Sequence, residues 1–294
     1  MTHKDITFAE YVAIKATNNS SLKIFEDCPA RYIHYLTQED ADNPAFAKGR
    51  LWHTAILEFK QMEHDYATIC QSTQDRLLAE AQAAGSKAKS FSKALSTYKE
   101  WAALNEGKEI ITEEELSAAL AGRRGVYHGA FKEALDRGDA ELSVVSEYEG
   151  IDGPMAVKGR FDLYDRETGT IWDLKTTRDA SPNGFGRLAW SYGYVRQAGF
   201  YRMLCELEGL PCEHFRIVAV ETAAPYLSGI YTVSPQATRW GSECARAALD
   251  RLAECQKTDT WPGYGSSSLL IPTYAEKEIS EDLETMPVPD PFTV

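Results

Sequence analysis

Two acids and a lysine near the middle of the chain, Asp162, Asp173 and Lys175, have the types and spacing for phosphate chemistry. They lie in VKGRFDLYDRETGTIWDLKTT, residues 157–177. Two carboxylates held a few ångström apart repel, and one would ordinarily take up a proton. A bound Mg²⁺ or Mn²⁺ removes the conflict and takes oxygen ligands. A lysine beside such an ion orients or deprotonates an attacking water, or offsets the charge that builds on a phosphate during displacement. Asp-x(10)-Asp-x-Lys therefore suits metal-assisted hydrolysis of a phosphodiester. The bland alternative is a solvated hairpin whose surface ion pair is worth ~0–1 kcal/mol.

Such a site needs elements that bring the three side chains together. Residues 155–163 and 170–176 are rich in branched and aromatic side chains, and Asp165-Arg166-Glu167-Thr168-Gly169 between them is turn material, which predicts a β-hairpin. Strand alternation puts Asp173 and Lys175 on one face and sends Leu174 into the opposite layer. Residues 45–59, AFAKGRLWHTAILEF, read as a helix with Phe46, Trp52, Ile56 and Phe59 as its apolar faces and His53 among them. A histidine in such a helix serves either as a satisfied core residue or as a neutral imidazole ligand delivered to the acids. A strand from Glu141 to Glu149 leads into the hairpin, with Glu141 a candidate for the site's edge. Residues 185–208 read as one long helix, with Gln197 and Tyr201 four apart on one face.

The remaining elements frame these. Asn18-Asn19-Ser20-Ser21 caps an amphipathic helix interrupted near Pro29, and residues 74–104 read as helical. Within the latter, Lys87, Lys89, Lys93 and Lys99 occur without an acid between residues 86 and 99, a candidate phosphate-contacting face. Thr112 and Glu115 form a capping-box pair that opens a helix reaching about Leu135. Residues 214–220 and 227–233 read as two further strands, and Ser234-Pro235 opens a last helix to Cys255. The order predicts one α/β (α+β) domain over 1–275, mainly helical in 18–140 and carrying its sheet in 141–256, followed by an acidic tail over 276–294.

The 294 residues are 44% hydrophobic, enough for a sizeable core. There is no apolar run of membrane-spanning length and no signal-peptide pattern at Met1-Thr2-His3-Lys4-Asp5, so no membrane association and a cytoplasmic site are expected. Six scattered cysteines without a C-x-x-C pair indicate neither a zinc ribbon nor a disulfide framework. The net charge of −13 argues against general polyanion binding, although six acids and one base in 276–294 account for −5 of it. A focused basic groove with metal-neutralised carboxylates reconciles an acidic chain with DNA.

Taken together, GRFDLYD, IWDLKTT and QAGFY resemble the successive motifs of the RecB-type PD-(D/E)xK nucleases, and SSLKIFEDCPARY and GRLWHTAILE resemble that group's helical opening and histidine motif. Within the group the chain is most similar to RecE-type nucleases (exodeoxyribonuclease VIII), through WDLKTT, RQAGFY and TDTWPGYGSSSLLIP. The resemblance implies a PD-(D/E)xK restriction-endonuclease-like core, a mixed central sheet flanked by helices. It implies that His53, Asp162, Asp173 and the Leu174 carbonyl bind Mg²⁺ or Mn²⁺, that Lys175 is catalytic, and that Gln197 and Tyr201 support the site or contact DNA. It further implies 5′-to-3′ digestion of linear double-stranded DNA, a ring-shaped homo-oligomer and cooperation in recombination with a single-strand annealing protein. Some relatives hold an iron–sulfur cluster; the dispersal of Cys205, Cys212, Cys244 and Cys255 leads us to expect none here. The competing readings are a nuclease of the same fold acting on flaps, single strands or spacer precursors, and a DNA-binding or assembly protein without turnover.

Overall fold

The computed structural model describes residues 2–3, 6–38 and 44–265, the side chains of Thr2, His3 and residues 44–46 excepted. The Phe46 side chain, the domain boundary at 275 and the acidic tail lie outside what is described. Met1–Trp261 forms one compact unit, and of the second unit, Pro262–Val294, only its first residues are described.

The strands are β1 (Thr2–His3), β2 (Tyr66–Ile69), β3 (Glu109–Thr112), β4 (Asp139–Gly150), β5 (Gly153–Asp165), β6 (Thr170–Thr177), β7 (His214–Glu221) and β8 (Ser228–Val233). Six of them form a mixed sheet in the order β1-β4-β5-β6-β7-β8, in which only β6 and β7 run parallel. The hairpin expected from 155–176 is β5–β6, closed by Gly169 at φ 59°, a backbone conformation a side chain would strain. β2 and β3 pair in parallel as a separate small sheet. Neither was legible beforehand, since each is a four-residue run next to a helix.

Alternation along β6 sends Ile171 into one core and Trp172 and Leu174 into the other. The first core packs the sheet against the helices Asn19–Asp27, Tyr194–Glu208 and Pro235–Thr258. The second core packs it against Pro44–Leu57, Glu113–Val126 and Gly129–Arg137. The two cores make Met1–Trp261 a mixed sheet flanked by helices on both faces, the architecture the resemblance implies, within the α/β class expected from the element order.

Three helices differ from the sequence reading. Residues 185–208 are two helices, Pro182–Ser191 and Tyr194–Glu208, because Gly193 adopts φ 76° between them. The capping box of Thr112 and Glu115 is present, but that helix stops at Val126 and a new one starts at Gly129, itself at φ 55°. Residues 74–104 divide into Gln71–Ala83 and Ser96–Leu104, so Lys87, Lys89 and Lys93 sit on the exposed connection and Lys99 on the second helix.

Two close crossings hold the layers together. A Cβ on Gly122 would lie 2.1 Å from the Trp52 ring, so the Glu113–Val126 helix can approach the Pro44–Leu57 helix only because that position is bare. A Cβ on Gly199 would lie 2.1 Å from the Gly241 backbone, where Tyr194–Glu208 meets Pro235–Thr258. The first crossing fixes the helix that carries His53, and the second fixes the one that carries Gln197.

Candidate active site

The site lies where the ladder between β5 and β6 ends. Its last rung is Leu163↔Trp172, which leaves Asp162 and Asp173 as the next opposed pair. There the strands part, and the Leu174 N–H donates to the Asp162 carboxylate at 2.6 Å instead of to a neighbouring backbone carbonyl. The opened edge of β5 is taken up by the segment near Thr17, which bridges in parallel to Val157. Lys158 secures that segment by donating to the carbonyls of Tyr11 (2.8 Å), Val12 (3.2 Å) and Ile14 (2.7 Å). Burial pulls the Lys158 ammonium below the usual lysine value.

β4 is kinked at the same level. Glu141 has φ 53°, a left-handed conformation unusual for a residue with a long side chain. It falls between the rungs Ala140↔Leu163 and Leu142↔Phe161 without one of its own. Across the kink the alternation reverses: Leu142 and Phe161 face the first core, and Ala140 and Leu163 the second. The irregularity turns Glu141 toward His53 and Asp162.

His53 comes from the other layer. Trp52 and Ile56 anchor its helix in the second core, and Arg123 caps the helix end by donating to the carbonyls of Ala55 (3.0 Å) and Ile56 (2.6 Å). His53 Nε2 lies 3.2 Å from the Leu174 carbonyl, and Nδ1 lies 3.8 Å from both Glu141 Oε1 and Asp162 Oδ2. His53, Glu141 and Asp162 thus offer ligand atoms all within 4.8 Å of one another.

Asp173 is fully buried, with Oδ1 accepting from Gln197 Nε2 at 2.9 Å. Lys175 Nζ is ion-paired to Oδ2 at 2.7 Å. Tyr201, one turn beyond Gln197, is buried against Phe161, and its hydroxyl donates to the Arg160 carbonyl at 2.9 Å. Arg160 in turn donates to Glu141 Oε2 at 2.7 Å. Arg160 had not been singled out, although an arginine two residues before Asp162 is a signal that could have found it.

The electrostatics show a cluster short of positive charge. Burial, reinforced by Asp173 and Glu141, pushes Asp162 up to about 7 despite His53 and Lys175 nearby. Burial alone would lower His53, yet Asp162 and Glu141 beside it raise it to about 9. Burial likewise opposes charge on Glu141, but His53 and Arg160 hold it below the usual carboxylate range. Burial works against the Lys175 ammonium and is outweighed by Asp173 and Asp162, which leaves its pKa above the ordinary lysine value.

A divalent cation fits this donor set. Glu141, Asp162 and the His53 imidazole offer ligand atoms within 4.8 Å of one another, the Leu174 carbonyl lies 3.2 Å from His53, and the buried Asp173 opposes Asp162 one step past the last rung. His53, Asp162, Asp173 and Lys175, chosen from sequence, are brought together with Leu174 and Gln197. Glu141 joins them from the kink. Tyr201 supports the site from behind, through the Arg160 carbonyl and the Gln197 side chain.

A family profile described as a PDDEXK-like domain of unknown function (DUF3799) matches residues 18–270. The chain belongs to that family. A crystal structure of a candidate exonuclease from Eubacterium rectale superposes on this DUF3799 chain with a TM-score of 0.55 and 13% identity, covering 93% of this chain and 98% of that one. At that identity the likeness shows the fold. A second solved structure, SSO0001, reaches a TM-score of 0.29 at 17% identity over 74% of this chain and 89% of its own, too distant to bear on the site. No curated protein matches the sequence. Among the described residues, no helix of this DUF3799 member is long and apolar enough to cross a membrane.

Proposed function

We propose that this protein is a divalent-cation-dependent deoxyribonuclease that digests linear duplex DNA from its ends. The observation that carries the reading is the meeting of His53, Asp162 and Asp173 beside Lys175 at the point where β5 and β6 part. The likeness of WDLKTT and RQAGFY to RecE-type nucleases supports duplex ends as substrate, 5′-to-3′ polarity, a ring-shaped homo-oligomer and work beside a single-strand annealing protein.

Asp162, Asp173, His53 and the Leu174 carbonyl would hold Mg²⁺ or Mn²⁺, with Glu141 adding a third carboxylate. When bound, the ion supplies a water of lowered pKa and shields the scissile phosphate. The chain supplies the rest. Gln197 fixes the rotation of Asp173, and Arg160 that of Glu141, so both carboxylates are oriented before substrate arrives. Lys175, raised above the ordinary lysine value by its two acids, would position the attacking water or offset charge on the phosphate.

The test is digestion of 5′-labelled linear, 3′-labelled linear and closed circular DNA by the full chain with Mg²⁺ or Mn²⁺. The reading predicts loss of the linear substrates, label release first from 5′ ends, intact circles, and arrest by a chelator. Asp173→Ala and Lys175→Ala should each lower the rate at least about 100-fold while the chain stays folded. Undiminished digestion by either variant, or binding without cleavage by the parent, overturns it.

A further inference from the structure

Lys175 Nζ, at the heart of the carboxylate cluster, sits over the Tyr194 ring at 5.0 Å, and Tyr194 is the first ring of a surface series. Tyr192 lies 5.8 Å from it, centroid to centroid, and is 55% exposed. Just before Tyr192 in the chain, Trp190 stacks on Trp240 at 5.5 Å and 22°. Trp190 is 65% exposed and Trp240 43%. The Arg196 guanidinium lies over Trp240 at 5.4 Å.

These rings are held out by the fold. The Gly193 break between two helices turns Tyr192 outward, and Lys23 Nζ fixes it by donating to its carbonyl at 2.8 Å. The glycine crossing of Gly199 and Gly241 brings the Trp240 helix close enough for Trp240 to meet Trp190. Two large indoles left partly in water form an exposed aromatic patch of the kind that marks a contact surface.

Charge indicates what the surface contacts. Arg196 is paired with Glu26 and Arg202 with Glu206, which leaves Arg187 and Arg239 as the positive charges near the rings. Arg187 and Arg239, beside the two tryptophans in sequence, are exposed. Open aromatic faces among arginines suit nucleobases joined by phosphates. Along a duplex the base faces are stacked on each other, whereas an unpaired strand offers successive bases to such rings.

We propose that Tyr192, Trp190 and Trp240 form a stacking platform for the bases of an unpaired DNA strand entering or leaving the site at Lys175. The proposal rests on the nuclease reading for the identity of the site and adds to it the path of one strand.

The test titrates fluorescein-labelled oligo(dT), and a blunt duplex of equal length, into the full chain with a chelator present. Anisotropy and tryptophan fluorescence are both read. The parent should bind the unpaired strand with tryptophan quenching, and Trp190→Ala should weaken that binding about 5- to 100-fold without changing the thermal midpoint. Trp190→Phe, which keeps a stacking face, should restore most of it. Duplex binding should fall much less. Parent affinity retained by Trp190→Ala overturns the platform, as does a parent that binds no unpaired strand. A parent dimer that Trp190→Ala turns into monomers also overturns it, making the rings a subunit contact. If the parent binds the strand through these rings yet cleaves no DNA with Mg²⁺ or Mn²⁺, the nuclease reading falls and the platform stands.

Discussion

Asp162 and Asp173 face each other one step past the last rung that joins their strands, and the Asp162 carboxylate takes the Leu174 amide that the ladder has released. The parting of β5 and β6 therefore does two things at once. It frees the Leu174 carbonyl for His53 on one side, and it opposes two acids on the other.

Glu141 depends on Arg160 for its orientation, since Arg160 donates to it at 2.7 Å and holds it below the usual carboxylate range. Arg160→Met should weaken Mn²⁺ affinity about 10-fold or more, as removal of an outer partner of a ligand does. Glu141→Gln should weaken it at least as much. Calorimetric titration of both variants checks this, and parent affinity in Glu141→Gln would remove Glu141 from the ligand set.

Cation binding should strengthen as pH rises from 6 to 9. Without the ion, Asp162 holds a proton up to about 7 and His53 up to about 9, and the ion must displace both. The same shifts govern the cation-free fold. His53, raised above its ordinary 6.5, contributes stability that is complete below that value and lost as pH passes 9. Asp162, an acid raised from 3.8, costs stability as pH climbs toward 7. The upward shift of the thermal midpoint by Mn²⁺ should thus be larger at pH 8.5 than at pH 6. A shift independent of pH contradicts the protonation of the cluster.

Gly122→Val should cost about 1–3 kcal/mol, because its side chain would overlap the Trp52 ring next to His53. Urea unfolding measures the loss, and nuclease activity should fall further than stability alone explains, since the His53 helix must shift.

The hairpin turn carries its own pH signature. Arg137 donates twice to the buried Asp165 carboxylate, at 3.1 and 2.7 Å, and holds it down at about 2. A carboxylate lowered from 3.8 contributes stability that is complete above that value and lost as pH falls through 2. Arg137→Gln should lower stability at pH 6 by roughly 1–2 kcal/mol and by little at pH 2, measured by urea unfolding.

The hairpin, the helix with His53 and the later strands were legible because their patterns are local: alternation for strands, caps for helices, a turn between two apolar runs. Asp173 and Lys175 followed from that alternation, whereas the face of Asp162 depends on the hairpin register. The break at Gly193 was not legible, since glycine inside a helical pattern is tolerated as often as it breaks one, and here only the positive φ decides. The kink at Glu141 is equally silent, because no glycine announces it. Its left-handed backbone is held by contacts from residues far along the chain, His53 and Arg160. Tyr201 shows a different limit: spacing placed it beside Gln197, but only the packing reveals that its hydroxyl ends on the Arg160 carbonyl.

The central claim is tested most directly by anomalous diffraction from crystals of the protein soaked in Mn²⁺. The account predicts a peak within coordination distance of His53, Asp162, Asp173 and the Leu174 carbonyl, absent from Asp173→Ala crystals soaked in the same way. Strong Mn²⁺ density elsewhere with none between these four groups, at a concentration that supports DNA cleavage, would contradict it.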